Sequence, residues 1–95
     1  MKEEIFERYA AQVISHFGVS HEELFSKNKK QQIVDARHIL YYLCKIRPMK
    51  LVHIEQHMKR NGYHVALSTI SHGVDKVTRD IYLDPDYQTL IDQLK

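Results

Sequence analysis

The sequence predicts an all-α fold, a compact bundle of about six helices that forms one domain over residues 1–95. Apolar residues recur at spacings of three and four along most of the chain, whereas the alternation that is typical of strands is scarce. Only three Gly and two Pro interrupt this pattern, and 43% of the residues are apolar. A chain of this length can bury a single core, so we expect no second domain.

The first predicted helix ends at Gly18 and needs a partner for its apolar stripe. The stripe consists of Ile5, Phe6, Tyr9, Ala10, Val13, Ile14 and Phe17. We expect the core to cover it, and the alternative is contact with a second copy of the chain. Ser20 and Glu23 have the spacing of a capping box, which predicts a short second helix through Phe25. Residues 26–31 are polar and basic, and they predict an exposed loop.

The third predicted helix is the expected centre of the core, and Pro48 closes it. Its apolar face consists of Ile33, Val34, Ala36, Ile39, Leu40, Leu43 and Cys44. A shorter fourth helix follows, with apolar positions at Leu51, Val52, Ile54 and Met58. It ends at Asn61 and Gly62, because Gly adopts the left-handed backbone of a helix C-terminus at little steric cost.

The fifth predicted helix begins near Ser68 and has a glycine in its interior. Its apolar positions are Ile70, Val74, Val77 and Ile81. Gly73 costs this helix about 1 kcal/mol relative to Ala, so we expect either a neighbouring helix or a ligand to approach closely there. Asp84 and Pro85 begin the last helix, whose apolar positions are Tyr87, Leu90, Ile91 and Leu94.

Positive charge is concentrated in the middle of the chain. Residues 26–79 carry eleven Lys and Arg against three acidic residues, a net charge of +8, whereas residues 1–25 and 80–95 are each at −3. The whole chain is therefore only at +2. Within the basic segment, residues 51–77 predict a helix, a turn with glycine and a second helix. This unit in a basic surface is typical of a module that binds double-stranded DNA.

The second helix of this unit begins with hydroxyl side chains, which suit DNA in two ways. Free backbone N–H groups and the helix dipole can meet a phosphate, and Ser or Thr can reach base edges. The lysine-bearing loop is expected to enter the adjacent minor groove. The alternatives are structural, namely a solvated loop and Ser68 as a simple N-cap. The expected DNA contacts are Lys27, Lys29, Lys30, Arg37, Lys45, His64, Ser68, Thr69, Ser71, His72 and Lys76.

The sequence gives no sign of an enzyme. His53 and His57 share a helix face, but Ile54 stands where a zinc protease requires Glu, so we expect no metal. Cys44 is expected to be a core residue, and the lack of a second Cys favours a reducing compartment. The chain has no glycine-rich phosphate loop, so we expect no ATPase activity, no catalytic residue and no cofactor. No apolar run is long enough to span a membrane.

Three segments carry a resemblance to a known family. Residues 17–30 contain Phe-Gly-Val followed by Glu-Glu-Leu-Phe-Ser-Lys-Asn-Lys-Lys, and residues 33–43 read Ile-Val-Asp-Ala-Arg-His-Ile-Leu-Tyr-Tyr-Leu. Residues 66–74, Ala-Leu-Ser-Thr-Ile-Ser-His-Gly-Val, are similar to the Asp-His-Thr-Thr-Val signature of that family. Over residues 13–94 the chain resembles the C-terminal DNA-binding domain of the bacterial replication initiator DnaA.

The resemblance implies a Trp repressor-like helix-turn-helix domain that binds duplex DNA in replication initiation or its regulation. The signature helix would enter the major groove, with Ser68 and Thr69 at the positions of two Thr of the family. Lys29 takes the position of the family's minor-groove Arg, and Arg37 and Lys45 take those of backbone-contacting residues. This chain has no counterpart of the initiator's ATPase module, so it should bind DNA without unwinding it. The implied location is the bacterial cytoplasm or nucleoid, or the host cytoplasm for a phage protein.

Ala66 and Leu67 depart from the family, because they replace the Asp and His that help it to read bases. The preferred DNA sequence is therefore open. The departure also motivates an alternative function, a protein-interaction module that uses the basic face to bind an acidic partner such as a replication factor. The oligomeric state is open as well, between a monomer and a weak dimer.

Overall fold

Six helices run through residues 2–95, the part of the chain that the computed structural model describes. They are α1 (Lys2–Phe17), α2 (His21–Leu24), α3 (Gln31–Ile46), α4 (Leu51–Arg60), α5 (Leu67–Leu83) and α6 (Pro85–Leu94). No strand occurs among these residues, so the all-α prediction is confirmed. None of the helices in this range is both long and apolar enough to cross a membrane.

Helix α3 is the centre of the core, as its wide apolar face predicts. It packs against all five other helices, most extensively against α5 and α1. Its buried apolar residues are Ile33, Ala36, Ile39, Leu40, Tyr41, Leu43 and Cys44. Burial raises the pKa of the Cys44 thiol to about 12, which keeps it protonated at neutral pH. Cys44 is thus a core residue, as expected.

The apolar stripe of α1 packs into this core. Phe6, Tyr9, Ala10 and Val13 are each at most 2% exposed. The stripe has little surface left for a second copy of the chain, and burial within the chain accounts for its spacing. The interpretation of the stripe as core, rather than as a dimer surface, is the one that the structure supports.

The helix ends follow local rules that the sequence displays. The Ser20 hydroxyl accepts from the backbone N–H of Glu23 at 3.0 Å, and the Glu23 carboxylate accepts from the N–H of Ser20 at 2.9 Å, which completes the capping box. Asp84 caps α6 through the N–H of Asp86 at 3.0 Å. Gly62 follows α4 with a φ of 97°, the left-handed backbone that the turn requires.

One helix boundary differs from the expectation, and the difference concerns Ser68. Helix α5 begins at Leu67, and its N-cap is Ala66, which has no side chain able to cap. Ser68 is therefore inside the first turn, and the N-cap alternative for it is wrong. Consequently no side chain caps the N-terminus of α5.

Gly73 lies where α5 crosses α3. A Cβ atom at this position would be 2.7 Å from Cδ2 of His38 and 3.0 Å from Cδ2 of Tyr41. Both distances are shorter than van der Waals contact, so only a residue without a side chain fits. The close approach that Gly73 predicts is therefore made by a neighbouring helix and not by a ligand.

His57 is a buried histidine whose environment disfavours its protonated form. The residue is buried in α4, and its ring stacks on that of Phe6 at a centroid distance of 4.9 Å. Burial, followed by the charge of Arg60, lowers the pKa of His57 below its usual 6.5. The stacking on Phe6 shows that this histidine packs in the core; among the described residues, no group of three or more His, Cys, Asp or Glu is placed to hold a metal ion.

We expect acid to destabilise the protein through His57. His57 in the unfolded chain takes up a proton as the pH falls below 6.5, whereas buried His57 in the folded chain resists protonation. The contribution of His57 to the free energy of unfolding is therefore fully present above pH 6.5, and it is lost as the pH falls toward the lowered pKa of the folded state. Urea titrations at about pH 7.5 and about pH 5.5 measure the loss. The variant H57F keeps a ring on Phe6 and should lose less stability between these conditions. The variant H16Q, at an exposed histidine of α1, is the matched control; an equal loss in H57F and the natural protein would contradict the assignment.

Candidate nucleic-acid interface

The segment between α2 and α3, residues 25–30, is an ordered loop that we call the lysine loop. It exposes Lys27, Lys29 and Lys30. Side chains within it fix its backbone: Ser26 Oγ accepts from the N–H of Asn28 at 3.2 Å, and Asn28 Oδ1 accepts from the N–H of Lys30 at 2.9 Å. Such bonds shape a turn without regular secondary structure. The three lysines are thus carried by a defined loop.

Arg37 of α3 holds the lysine loop in place by donating hydrogen bonds to backbone carbonyls. Its Nε donates to the carbonyl of Leu24 at 2.9 Å, and its Nη2 donates to the carbonyl of Asn28 at 2.6 Å and more weakly to that of Glu23 at 3.4 Å. The guanidinium also lies over the ring of Tyr63, 5.2 Å from its centroid. Arg37 is 6% exposed and its main partners are loop carbonyls, so the phosphate contact expected of it stays a prediction.

A cleft of about 430 Å³ lies between the lysine loop and the start of α5, and we call it the loop–helix cleft. Lys27 and Lys29 of the loop and His64 of the segment before α5 are exposed residues that line it. Its other lining residues are Val34, Arg37, His38, Tyr41, Tyr63, Val65, Ala66 and Thr69. The fold thus brings the loop lysines and the hydroxyl end of α5 to one side of the molecule.

The first turn of α5 faces solvent. Ser68 and Thr69 are both exposed, and Thr69 lines the cleft. The backbone N–H of Thr69 donates to the carbonyl of Ala66 at 3.0 Å, whereas no side chain caps the N–H groups of Leu67 and Ser68, which can therefore meet an anion. His72 lies one turn further along the helix and is also exposed. Lys76 follows on the next turn, where its Nζ forms an ion pair with Asp80 at 3.0 Å.

His38 is a cleft residue that the sequence did not single out. Its Nδ1 is buried and has no hydrogen-bond partner in the described part of the chain. Burial lowers the pKa of His38, against an opposing effect of the nearby Asp35. The centroid of its ring is 6.4 Å from that of the His72 ring, so His38 lines the cleft and also neighbours an exposed residue of α5. A glycine inside a helix, such as Gly73, predicts that some residue packs closely against it. The sequence does not show that this residue is His38.

The structure leaves some predicted contacts away from the cleft. Ser71 is half-buried and lies about 160° around α5 from Thr69, on the other flank of the helix. Lys45 is exposed in the last turn of α3, about 12 Å along that helix from Arg37. Lys30 is exposed at the N-cap of α3 and does not line the cleft. The cleft therefore gathers only part of the expected set.

Comparisons with known proteins agree with the family resemblance found in the sequence. The family model described as the bacterial DnaA protein helix-turn-helix matches residues 7–77. The chromosomal replication initiator protein DnaA of Lachnoclostridium phytofermentans is 37% identical over 83 residues, which is 86% of this chain. The same match spans 17% of that relative's length. No solved structure matches the chain.

Proposed function

Because the chain belongs to the bacterial DnaA helix-turn-helix family, we propose that it binds double-stranded DNA with a sequence preference, in replication initiation or its regulation. The proposed location is the bacterial cytoplasm or nucleoid, where such DNA is found. The chain contains no glycine-rich phosphate loop, so ATP hydrolysis by these residues is not part of the proposal.

The observation that carries this proposal is the loop–helix cleft. A helix in the major groove and a loop in the neighbouring minor groove are separated by one sugar–phosphate strand. The start of α5 and the lysine loop flank the cleft in this manner, with cations on its rim. We therefore place α5 in the major groove, the lysine loop in the minor groove and the intervening strand across the cleft.

The side chains divide into two roles. Ser68 and Thr69 are placed to meet base edges, because they are exposed in the first turn of the helix. Lys29 is the minor-groove residue, where a flexible cation responds to groove width. The remaining proposed contacts serve phosphates and supply affinity without sequence information, and they are Lys27, Lys30, Lys45, His64, His72 and Lys76. Ser71 is half-buried and lies about 60° around α5 from Ser68, so it stays a proposed contact at the edge of this face.

Binding that depends on phosphate contacts should weaken steeply with salt. We expect the logarithm of the affinity to fall with the logarithm of salt concentration, with a slope of about −0.9 for each neutralised phosphate. A fluorescently labelled random duplex, titrated at several salt concentrations, measures this slope. The variant K29A should make the slope shallower by about 0.9, because one contact is lost.

The control for this titration is K95A. Lys95 ends the chain beyond α6, pairs with Asp92 at 3.3 Å and does not line the cleft, so its removal should leave the slope unchanged. Absence of binding to any duplex at low salt would refute the proposed function. Equal slopes for K29A and the natural protein would remove Lys29 from the interface.

A further inference from the structure

Arg37 is a charged side chain at 6% exposure. A charge at this depth is costly unless its donors are satisfied. Its observed partners are the carbonyl oxygens of Glu23, Leu24 and Asn28 together with the ring of Tyr63. Three backbone acceptors and an aromatic face match the planar, five-donor guanidinium group closely. The arrangement therefore depends on the shape of this side chain as well as on its charge.

These partners belong to both sides of the loop–helix cleft. Glu23 and Leu24 end α2, where helix carbonyls have no partner within the helix and a cation is favourable. Asn28 is the loop residue between Lys27 and Lys29, so the bond to its carbonyl fixes the backbone between the two cleft lysines. Tyr63 belongs to the segment that leads into α5. One residue of α3 thus connects the lysine loop with the approach to α5.

We propose that Arg37 is a positioning residue, which orders the lysine loop and keeps Lys27 and Lys29 at a set distance from the first turn of α5. Its effect on DNA binding rests on the proposed function. Its effect on loop order does not, because every contact involved lies within the free protein.

Replacing Arg37 with lysine distinguishes a role in positioning the loop from a role that needs only a positive charge. The variant R37K keeps the positive charge, but an ammonium group lacks the planar fork that reaches the Leu24 and Asn28 carbonyls together while lying flat on Tyr63. If Arg37 served only as a cation for phosphate, R37K would retain most of its role. If it positions the loop, R37K should lose that role despite the unchanged net charge.

Trypsin can test loop order without DNA, because it cleaves after lysine and the loop carries Lys27, Lys29 and Lys30. We expect brief digestion of the whole protein to cut residues 27–30 about tenfold faster in R37K than in the natural protein. The number of trypsin sites does not change, since trypsin accepts both Arg and Lys. The control R47K makes the same substitution at an exposed arginine just beyond α3 and should cut at the natural rate.

A second variant covers the case in which R37K does not fold, as circular dichroism would reveal. Y63L removes the ring under the guanidinium and keeps an apolar side chain, so loop cleavage should rise about threefold. Loop cleavage at the natural rate in folded R37K would overturn the proposal. If R37K is unfolded, the natural rate in Y63L would overturn it instead.

DNA binding supplies an independent test through a double-mutant cycle. K29A should weaken binding to a random duplex roughly fivefold in the natural background, and less than about twofold in R37K, because a displaced loop no longer presents Lys29. Additive effects would contradict the coupling. If the natural protein binds no duplex, the proposed function fails, and the trypsin result still decides whether Arg37 orders the loop.

Discussion

We expect Thr69→Ala to abolish most of the preference for one DNA sequence over another, while Lys29→Ala weakens binding to every duplex alike. Thr69 is exposed in the first turn of α5 and lines the loop–helix cleft, so its hydroxyl and methyl groups can meet the edges of bases. One good base contact discriminates by about 1 to 3 kcal/mol, which corresponds to roughly 5-fold to 150-fold in affinity. Lys29 is proposed to lie in the minor groove, where its positive charge attracts any duplex and carries little sequence information.

The measurement begins with selection of a preferred site from a random duplex pool. Dissociation constants are then determined for the selected duplex and for a shuffled duplex of the same composition. For T69A we expect the ratio of the two constants to fall toward one, with little change for the shuffled duplex. For K29A we expect both constants to rise roughly fivefold and their ratio to persist.

Thr78 offers a matched control on the same helix. It is exposed nine residues after Thr69, which places it on the opposite side of α5, and its hydroxyl donates to the carbonyl of Val74 at 2.9 Å. T78A should therefore keep both constants and their ratio. An equal loss of affinity for both duplexes in T69A would show that Thr69 does not read sequence.

The second large effect is expected from Gly73→Leu, which should destabilise the fold by about 3 kcal/mol. The first added carbon would already lie 2.7 Å from the His38 ring and 3.0 Å from the Tyr41 ring, and three further carbons must follow it. Tyr41 is 1% exposed, so it has no room to move aside without disturbing the core. Leucine's better helix propensity recovers about 1 kcal/mol at most and does not reverse the sign.

Thermal unfolding followed by circular dichroism measures this loss, and a midpoint lowered by roughly 15 °C is expected for a domain of this size. The control T78L places the same side chain at an exposed position of the same helix and should leave the midpoint nearly unchanged. If G73L were as stable as the natural protein, α5 and α3 would not pack as closely as described. A folded G73L with altered DNA affinity would instead show that α5 had shifted on α3.

Much of the fold was predictable because the signals are local. The capping box at Ser20, the start of the last helix at Asp84 and Pro85, and the left-handed Gly62 each depend on residues within four positions, and each was confirmed. The predicted start of α5, near Ser68, differs by one residue from the observed start at Leu67, and this difference decides the role of Ser68. The structural alternative made Ser68 the N-cap, whereas Ala66 is the N-cap and Ser68 lies in the exposed first turn.

The site was predictable only in part. Spacing and charge placed Lys29 and Thr69 among the contacts, and the fold brings both to one cleft. The same reasoning counted Arg37 among the phosphate contacts, because nothing in its neighbouring residues shows that it turns toward Asn28 and Tyr63. Ser71 was included as one more hydroxyl of α5, and spacing along the chain did not show that its side chain is half-buried and lies away from the cleft.

The sequence by itself determined the helices, their ends and the basic segment that they carry, because periodicity, capping and charge are properties of neighbouring residues. The tertiary structure alone decided which neighbour makes Gly73 necessary, which carbonyls hold Arg37, and that the lysine loop and the start of α5 share a cleft. These contacts join residues that are from 9 to about 40 positions apart, and they form only when the helices pack. Packing depends on shapes that meet across the core, and no spacing along the chain records them.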